Sequence, residues 1–148
     1  MPSRQGKIIS VNISDLKGEK KRQAGKALLR AGHGLDHDAH AGNWHRQVSL
    51  LAQESIDKIR AAGLAVDCGD FAENLTTTGI ILHTLPVGTR FKVGDQVVLR
   101  LTQIGKECHA RCAIFAQVGD CVMPREGVFT EVLEGGEIKV GDCIEVLD

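Results

Sequence analysis

From Gly79 to its end the chain is cut into short β-type runs by Gly and Pro, and this spacing restricts the fold more than any other feature. The runs are Ile80–Leu82, Thr89–Val93, Gln96–Gln103, Gly127–Leu133 and Cys143–Leu147. Val97–Thr102 partly alternates apolar and polar residues, as a half-buried strand does. Such spacing predicts a barrel or sandwich rather than βαβ units. Phe91-Lys92-Val93-Gly94-Asp95 echoes Ile138-Lys139-Val140-Gly141-Asp142, each with a Gly-Asp turn into a strand. Glu134-Gly135-Gly136-Glu137 reads as a hairpin turn.

The first half adds fewer regular elements. Lys7–Ile13 is an opening β-branched strand, Ser14–Arg22 a polar loop, and Gln23–Arg30 a second short strand. Val48–Ala62 is the one clear helix pattern, with apolar positions 48, 51, 52, 56 and 59 on one face. Ser49 suits its N-cap and Gly63 its C′ position. Thr76–Thr78 favour extended backbone beside Glu73 and Asn74, in what otherwise reads as a turn region.

At 148 residues the chain fits one domain, with a core spanning about residues 7–147. Aromatics make up 3% and Tyr is absent, so Val, Ile, Leu and Ala must build that core. With 18 basic against 19 acidic residues, binding to nucleic acid by phosphate neutralisation is not expected. No apolar run reaches membrane-spanning length, and a signal-peptide pattern is not seen. The expected location is cytoplasmic, where five cysteines read as thiols, metal ligands or redox groups before disulfides.

Two stretches carry chemistry. Asp36-His37-Asp38-Ala39-His40-Ala41-Gly42-Asn43-Trp44-His45-Arg46-Gln47 has no helix or strand period and concentrates three histidines with the only Trp. Its histidines suit a metal or loop carbonyls, although no named ligand spacing is present. Lys106-Glu107-Cys108-His109-Ala110-Arg111-Cys112, with Cys121 beyond, interleaves thiols with cations that favour thiolate. Cys108, Cys112 and Cys121 also offer a zinc set, though the spacing is looser than paired C-x2-C motifs. Cys68 and Cys143 read as structural, His83 as a surface residue, and Glu126 beside Arg125 as a surface ion pair, with a general acid or base as the alternative.

Taken in order, these residues resemble the MOSC domain, named for the C-terminal domain of molybdenum-cofactor sulfurase. The resemblance rests on Asp38-Ala39-His40-Ala41-Gly42, His45-Arg46-Gln47-Val48-Ser49-Leu50-Leu51 and Phe71-Ala72-Glu73-Asn74-Leu75-Thr76. It continues through Thr102-Gln103-Ile104-Gly105-Lys106-Glu107-Cys108-His109 and Met123-Pro124-Arg125-Glu126-Gly127-Val128-Phe129. It implies a single-domain α+β protein, mainly β: a closed barrel with one main amphipathic helix over about 48–62 and a few short helices.

The resemblance also implies a functional cysteine, here Cys108, that carries sulfur as a persulfide or ligates molybdenum through its thiolate. Apart from the resemblance, Cys112 or Cys121 would act catalytically as a resolving thiol, attacking the persulfide and releasing its sulfur to an acceptor. His40, His45, Arg46 and Asn74 would form a polar cofactor-binding cluster, with Arg125 a further phosphate donor. Molybdenum or molybdenum cofactor is the expected ligand, and no pyridoxal phosphate is expected on this chain alone. A cysteine-desulfurase-type sulfur donor and molybdenum-cofactor biosynthesis proteins are the implied partners. Neither nucleic acid nor membrane is an expected partner, and pairing of copies through edge strands is an open expectation. The alternatives are a cofactor-binding module without sulfur transfer, or a structural zinc site at the three cysteines.

Overall fold

The computed structural model describes residues 4–16, 20–63, 65–105 and 126–147. Seven strands form the closed barrel: β1 (Gln5–Ile13), β5 (Val48–Ala52), β6 (Leu75–Thr78), β7 (Arg90–Val93), β8 (Val97–Ile104), β9 (Val128–Glu134) and β11 (Cys143–Val146). Their order is β11-β7-β8-β9-β5-β6-β1, and the β1–β11 pairing, Gln5 opposite Glu145, closes the ring. The short β2 (Arg22–Gln23) extends β1. A separate three-stranded sheet joins β10 (Gly136–Lys139), β3 (Lys26–Arg30) and β4 (Gly34–Leu35). The barrel expectation therefore holds, and closure removes the free edges that an open sheet of these strands would carry.

The helix is shorter than its pattern suggests. Val48–Ala52 is strand β5, and the helix α1 runs only from Gln53 to Ala61. Every residue of β5 is buried, so its apolar run fits a strand covered on both faces as well as it fits a helix face. Leu50 joins the barrel core, whereas Leu51 alternates to the opposite side, where α1 covers the sheet with Ile56 and Ile59. Ser49 accordingly lies inside a strand and caps nothing. Ala52 occupies the N-cap position without a side-chain cap, while Gly63, at φ 102°, ends the helix as expected.

This reassignment explains a local exception to the antiparallel pattern. β5 and β6 pair in parallel, with Leu50 opposite Leu75. Parallel neighbours need a crossover connection, and α1 supplies it. One β-α-β unit is thus built into a barrel whose other pairings are antiparallel.

Two further readings change. Glu134–Glu137 does not join a hairpin, because β10 leaves β9 and pairs with β3, Gly136 opposite Leu29. A side chain at Gly135 would stand 2.4 Å from the Leu29 carbonyl oxygen, so the strand exchange requires glycine there. Ile80–Leu82 is not a strand. Ile80 and Leu82 are both buried and join the barrel core cluster, with Leu82 accepting the Leu85 N–H in a turn. Gln23–Arg30 divides into β2 and β3 around Gly25, whose φ of 81° breaks the extended run.

The core is aliphatic as composition requires. Ile8, Leu50, Leu75, Leu99, Leu101, Ile138 and Ile144 are completely buried around Phe91.

Candidate functional site

Loop 36–47 connects β4 to β5 and is tied down at both ends. Gly42 N–H donates to the His33 carbonyl at 2.7 Å and Ala39 N–H to the Ser14 carbonyl at 2.9 Å. At its far end the Gln47 carboxamide accepts the Val132 N–H at 2.9 Å. Three of the residues expected at the site, His40, His45 and Arg46, therefore stand on an anchored loop.

Beneath His40 lies a buried charged cluster that the sequence did not announce. Lys21, read as part of a polar loop, is buried and its side chain is 0% exposed, as is that of Asp38. The Lys21 Nζ lies 2.8 Å from Asp38 Oδ1, 2.9 Å from Ser14 Oγ and 3.0 Å from His40 Nδ1. Asp38 also accepts the Ser14 N–H at 3.1 Å through Oδ1 and the His40 N–H at 3.1 Å through Oδ2. Burial pushes the Asp38 carboxyl up, but the Lys21 hydrogen bond, the Asn74 amide, the Lys21 charge and the Ser14 N–H outweigh it and hold it below the usual range. Asp38 is thus a buried carboxylate matched to a buried ammonium.

Trp44 links this cluster to the outer part of the loop. Its indole N–H donates to the His40 carbonyl at 2.8 Å, and its ring carries the Arg46 guanidinium at 4.6 Å from the centroid. The Phe129 ring lies 5.5 Å away from the same guanidinium. Cation–π attraction over two rings holds this charge in place. Arg46 Nε is buried and has no hydrogen-bond partner, and no carboxylate pairs with Arg46 among the described residues. His45 is exposed; its Nε2 meets Gln103 Oε1 at 2.8 Å, and its carbonyl accepts the Thr102 hydroxyl.

Thr102 and Gln103 belong to the end of β8, so the histidine loop is fastened to the strand that leads toward Cys108. Gly105 N–H donates to the Gly127 carbonyl at 2.6 Å, bringing together the residues that flank 106–125. Cys108, Cys112, Cys121 and Arg125 lie outside the described residues. Among those described, no group of three or more His, Cys, Asp and Glu is placed to hold a metal ion.

Asn74 is committed to fastening. Its Oδ1 accepts the Ser49 N–H at 3.0 Å and hydroxyl at 3.2 Å, and its Nδ2 donates to the Asn12 carbonyl at 3.2 Å. It thereby ties β5, β6 and β1 together, and it helps keep the Asp38 carboxyl low. Its neighbour Glu73 is completely buried. Oε2 accepts the Thr76 hydroxyl at 2.7 Å and the Gly69 N–H at 3.1 Å, whereas Oε1 has no partner.

Burial raises Glu73 above the ordinary glutamic acid value, against the opposing pull of Thr76 and the backbone donors. The folded state therefore holds a proton that the unfolded state releases earlier, and stability falls as pH rises between the two values. Glu73→Gln, which keeps an acceptor for Thr76 and Gly69 and carries no charge, should flatten this loss. Urea unfolding across a pH series measures it; equal pH slopes in the two proteins would show that Glu73 is not the group responsible.

Gly69 faces the same cluster. It has φ 90°, accepts the Lys21 N–H at 2.8 Å, and a Cβ there would fall 2.2 Å from the Lys21 carbonyl oxygen. Gly69→Ala should cost at least about 2 kcal/mol, because left-handed strain and backbone displacement add. A lower urea midpoint with unchanged m would register it.

Other residues settle as fasteners. Glu126 is buried and pairs with Lys58 at 2.7 Å and the Ser55 hydroxyl at 2.6 Å, which joins α1 to the approach to β9; its sequence neighbour Arg125 lies outside the described residues. Cys68 is half-buried with Sγ 3.4 Å from Gln53 Oε1, and burial raises its thiol; Cys143 is exposed. His83 is half-buried.

Barrel, crossover helix and anchored polar loop together define a small closed-barrel domain with a cationic, histidine-bearing site at one loop. The chain belongs to the MOSC domain family, whose model matches residues 36–145. That family is related to the molybdenum cofactor.

The fold is similar to that of YuaD protein from Bacillus subtilis, with a TM-score of 0.80 at 20% identity over 99% of this chain and 98% of that one. It is also similar to YiiM from Geobacillus stearothermophilus, with a TM-score of 0.72 at 17% identity over 97% of this chain and 75% of the other. YiiM from Escherichia coli gives a TM-score of 0.68 at 18% identity, over 97% and 70%. No curated protein matches the sequence. No helix among the described residues is long and apolar enough to cross a membrane.

Proposed function

We propose that this MOSC protein acts in sulfur transfer linked to molybdenum-cofactor metabolism, with Cys108 as the thiol that carries sulfur or ligates molybdenum. Arg46 is the observation that supports it most directly. A guanidinium held over two rings, with a buried Nε lacking any partner, is a fixed cation suited to an anionic ligand. It stands on the loop that Gln103 and Thr102, five and six residues before Cys108 in sequence, fasten to β8.

The residues fit an anionic, oxygen-rich cofactor. Arg46 would meet its phosphate together with Arg125, His40 and His45 would meet its polar edges, and Asn74 would hold Asp38 and the loop beneath them. Cys108 thiolate would supply the soft ligand that a thiophilic metal prefers. When bound, the cofactor supplies molybdenum redox chemistry.

In the carrier reaction Cys108 thiolate attacks the terminal sulfur of a donor persulfide. The new S–S bond forms as the donor thiolate leaves. An acceptor nucleophile then attacks that sulfur and regenerates Cys108, with Cys112 or Cys121 as a competing thiol nearby in sequence. A desulfurase-type donor and a cofactor-biosynthesis acceptor are the partners this requires.

The test combines two measurements on the full chain. Protein incubated with cysteine and a cysteine desulfurase should gain labelled sulfur by mass spectrometry on the peptide containing Cys108. Protein purified gently from molybdate-fed cells should be assayed for molybdenum and pterin. Metal and pterin without label would favour a binding module over a carrier. Neither signal would refute both.

A further inference from the structure

We infer that Lys21 fixes His40 as a neutral hydrogen-bond donor through Nε2, so that any group meeting that nitrogen must be an acceptor and His40 is not a metal ligand. The proton count on Lys21 carries this. An ammonium has three N–H donors and no acceptor, and Nζ has three partners within 3.0 Å: Asp38 Oδ1, Ser14 Oγ and His40 Nδ1. Ser14 donates its own hydroxyl proton to the Leu16 carbonyl at 3.1 Å, so its oxygen is free to accept from Lys21. Each donor then has one acceptor, and Nδ1 must offer its lone pair.

The competing arrangement puts a proton on Nδ1 facing Asp38. The nearest oxygen in that direction, Asp38 Oδ2, is 3.9 Å away, beyond hydrogen-bond reach, and already accepts the His40 backbone N–H. At 3.0 Å the Lys21 contact decides the tautomer. With Nδ1 an acceptor, a neutral ring carries its proton on Nε2.

Metal-binding histidines show the opposite polarity. Their inner N–H donates to a carboxylate or carbonyl, which leaves the outer nitrogen a lone pair for the metal. Here the inner nitrogen meets a donor, and whatever faces the Nε2 edge must accept. The Trp44 bond to the His40 carbonyl and the Asp38 bond to its N–H fix the backbone on which the ring is mounted. Lys21 is therefore a positioning residue, acting through His40.

The ligand class rests on the functional reading above, but the tautomer is measured without any ligand, so the two can fail separately. Long-range 1H–15N correlation spectra of the 15N-histidine-labelled full chain read it, with His40→Gln assigning the signal among the six histidines. The expected result is an unprotonated Nδ1 and a protonated Nε2 that zinc added alone does not displace. A protonated Nδ1, or loss of the Nε2 proton to stoichiometric zinc, would overturn the inference. Lys21→Met should turn the single tautomer into a mixture; an unchanged Nε2–H form would remove Lys21 from the role. Should that variant not fold, Lys21→Met with Asp38→Leu removes both buried charges and serves the same reading.

Discussion

Cys108→Ala should reduce desulfurase-dependent sulfur loading to background, while Cys112→Ala and Cys121→Ala remain loaded. Sulfane transfer needs a thiolate to form the new S–S bond, and alanine has nothing to substitute for it. Lys106, His109 and Arg111 flank Cys108 in sequence, and cations held near a thiol favour its thiolate. Loss of Cys112 or Cys121 should instead change how fast the sulfur leaves, since only a second thiol nearby can compete for it. Intact-mass measurement before and after addition of a small thiol acceptor separates loading from release. Full labelling of Cys108→Ala would assign the carrier role elsewhere.

Asp38→Ala should cost about 3–5 kcal/mol, among the largest effects of any polar substitution in the chain. The change leaves the Lys21 ammonium buried with one acceptor gone and strips the Ser14 and His40 N–H groups of their partner. Removing both charges with Lys21→Met and Asp38→Leu should cost far less, because an apolar pair of similar volume escapes the desolvation penalty. Denaturant unfolding of the two proteins compares them directly; similar losses would mean that packing, not the stranded charge, sets the cost.

The pair also predicts an acid response. Asp38 is held below the ordinary carboxylate value, so its contribution is complete above that value and is lost as pH falls through the folded one. This is opposite in sign to the Glu73 effect, and the two together narrow the range of greatest stability from both sides.

The candidate site was half legible. His40, His45 and Arg46 stood out because they crowd a stretch without helix or strand period, and the structure puts all three on one anchored loop. Asn74 was found by its motif, and its amide proves to fasten β5 to β1 and to support Asp38. Lys21 was missed because it sits in a run of charged residues that reads as solvated, and nothing local reports burial. Its partners Asp38 and His40 lie 17 and 19 residues away. Gln103 and Thr102 were similarly invisible as supports, since their role exists only when β8 comes beside a loop more than 50 residues earlier.

By itself the sequence determined what is local: aliphatic strands set off by Gly and Pro, the helix end at Gly63, and the glycines that turns and close approaches demand. Tertiary structure decided what depends on the other side of a contact. Val48–Ala52 became a strand because sheet and helix cover both of its faces, a condition that no single-face period records. β10 joined β3 because pairing partners are chosen across the fold, not along the chain. Lys21 became the base of a site because burial turns a surface cation into one that must find acceptors, and only the folded chain brings Asp38, Ser14 and His40 within its reach.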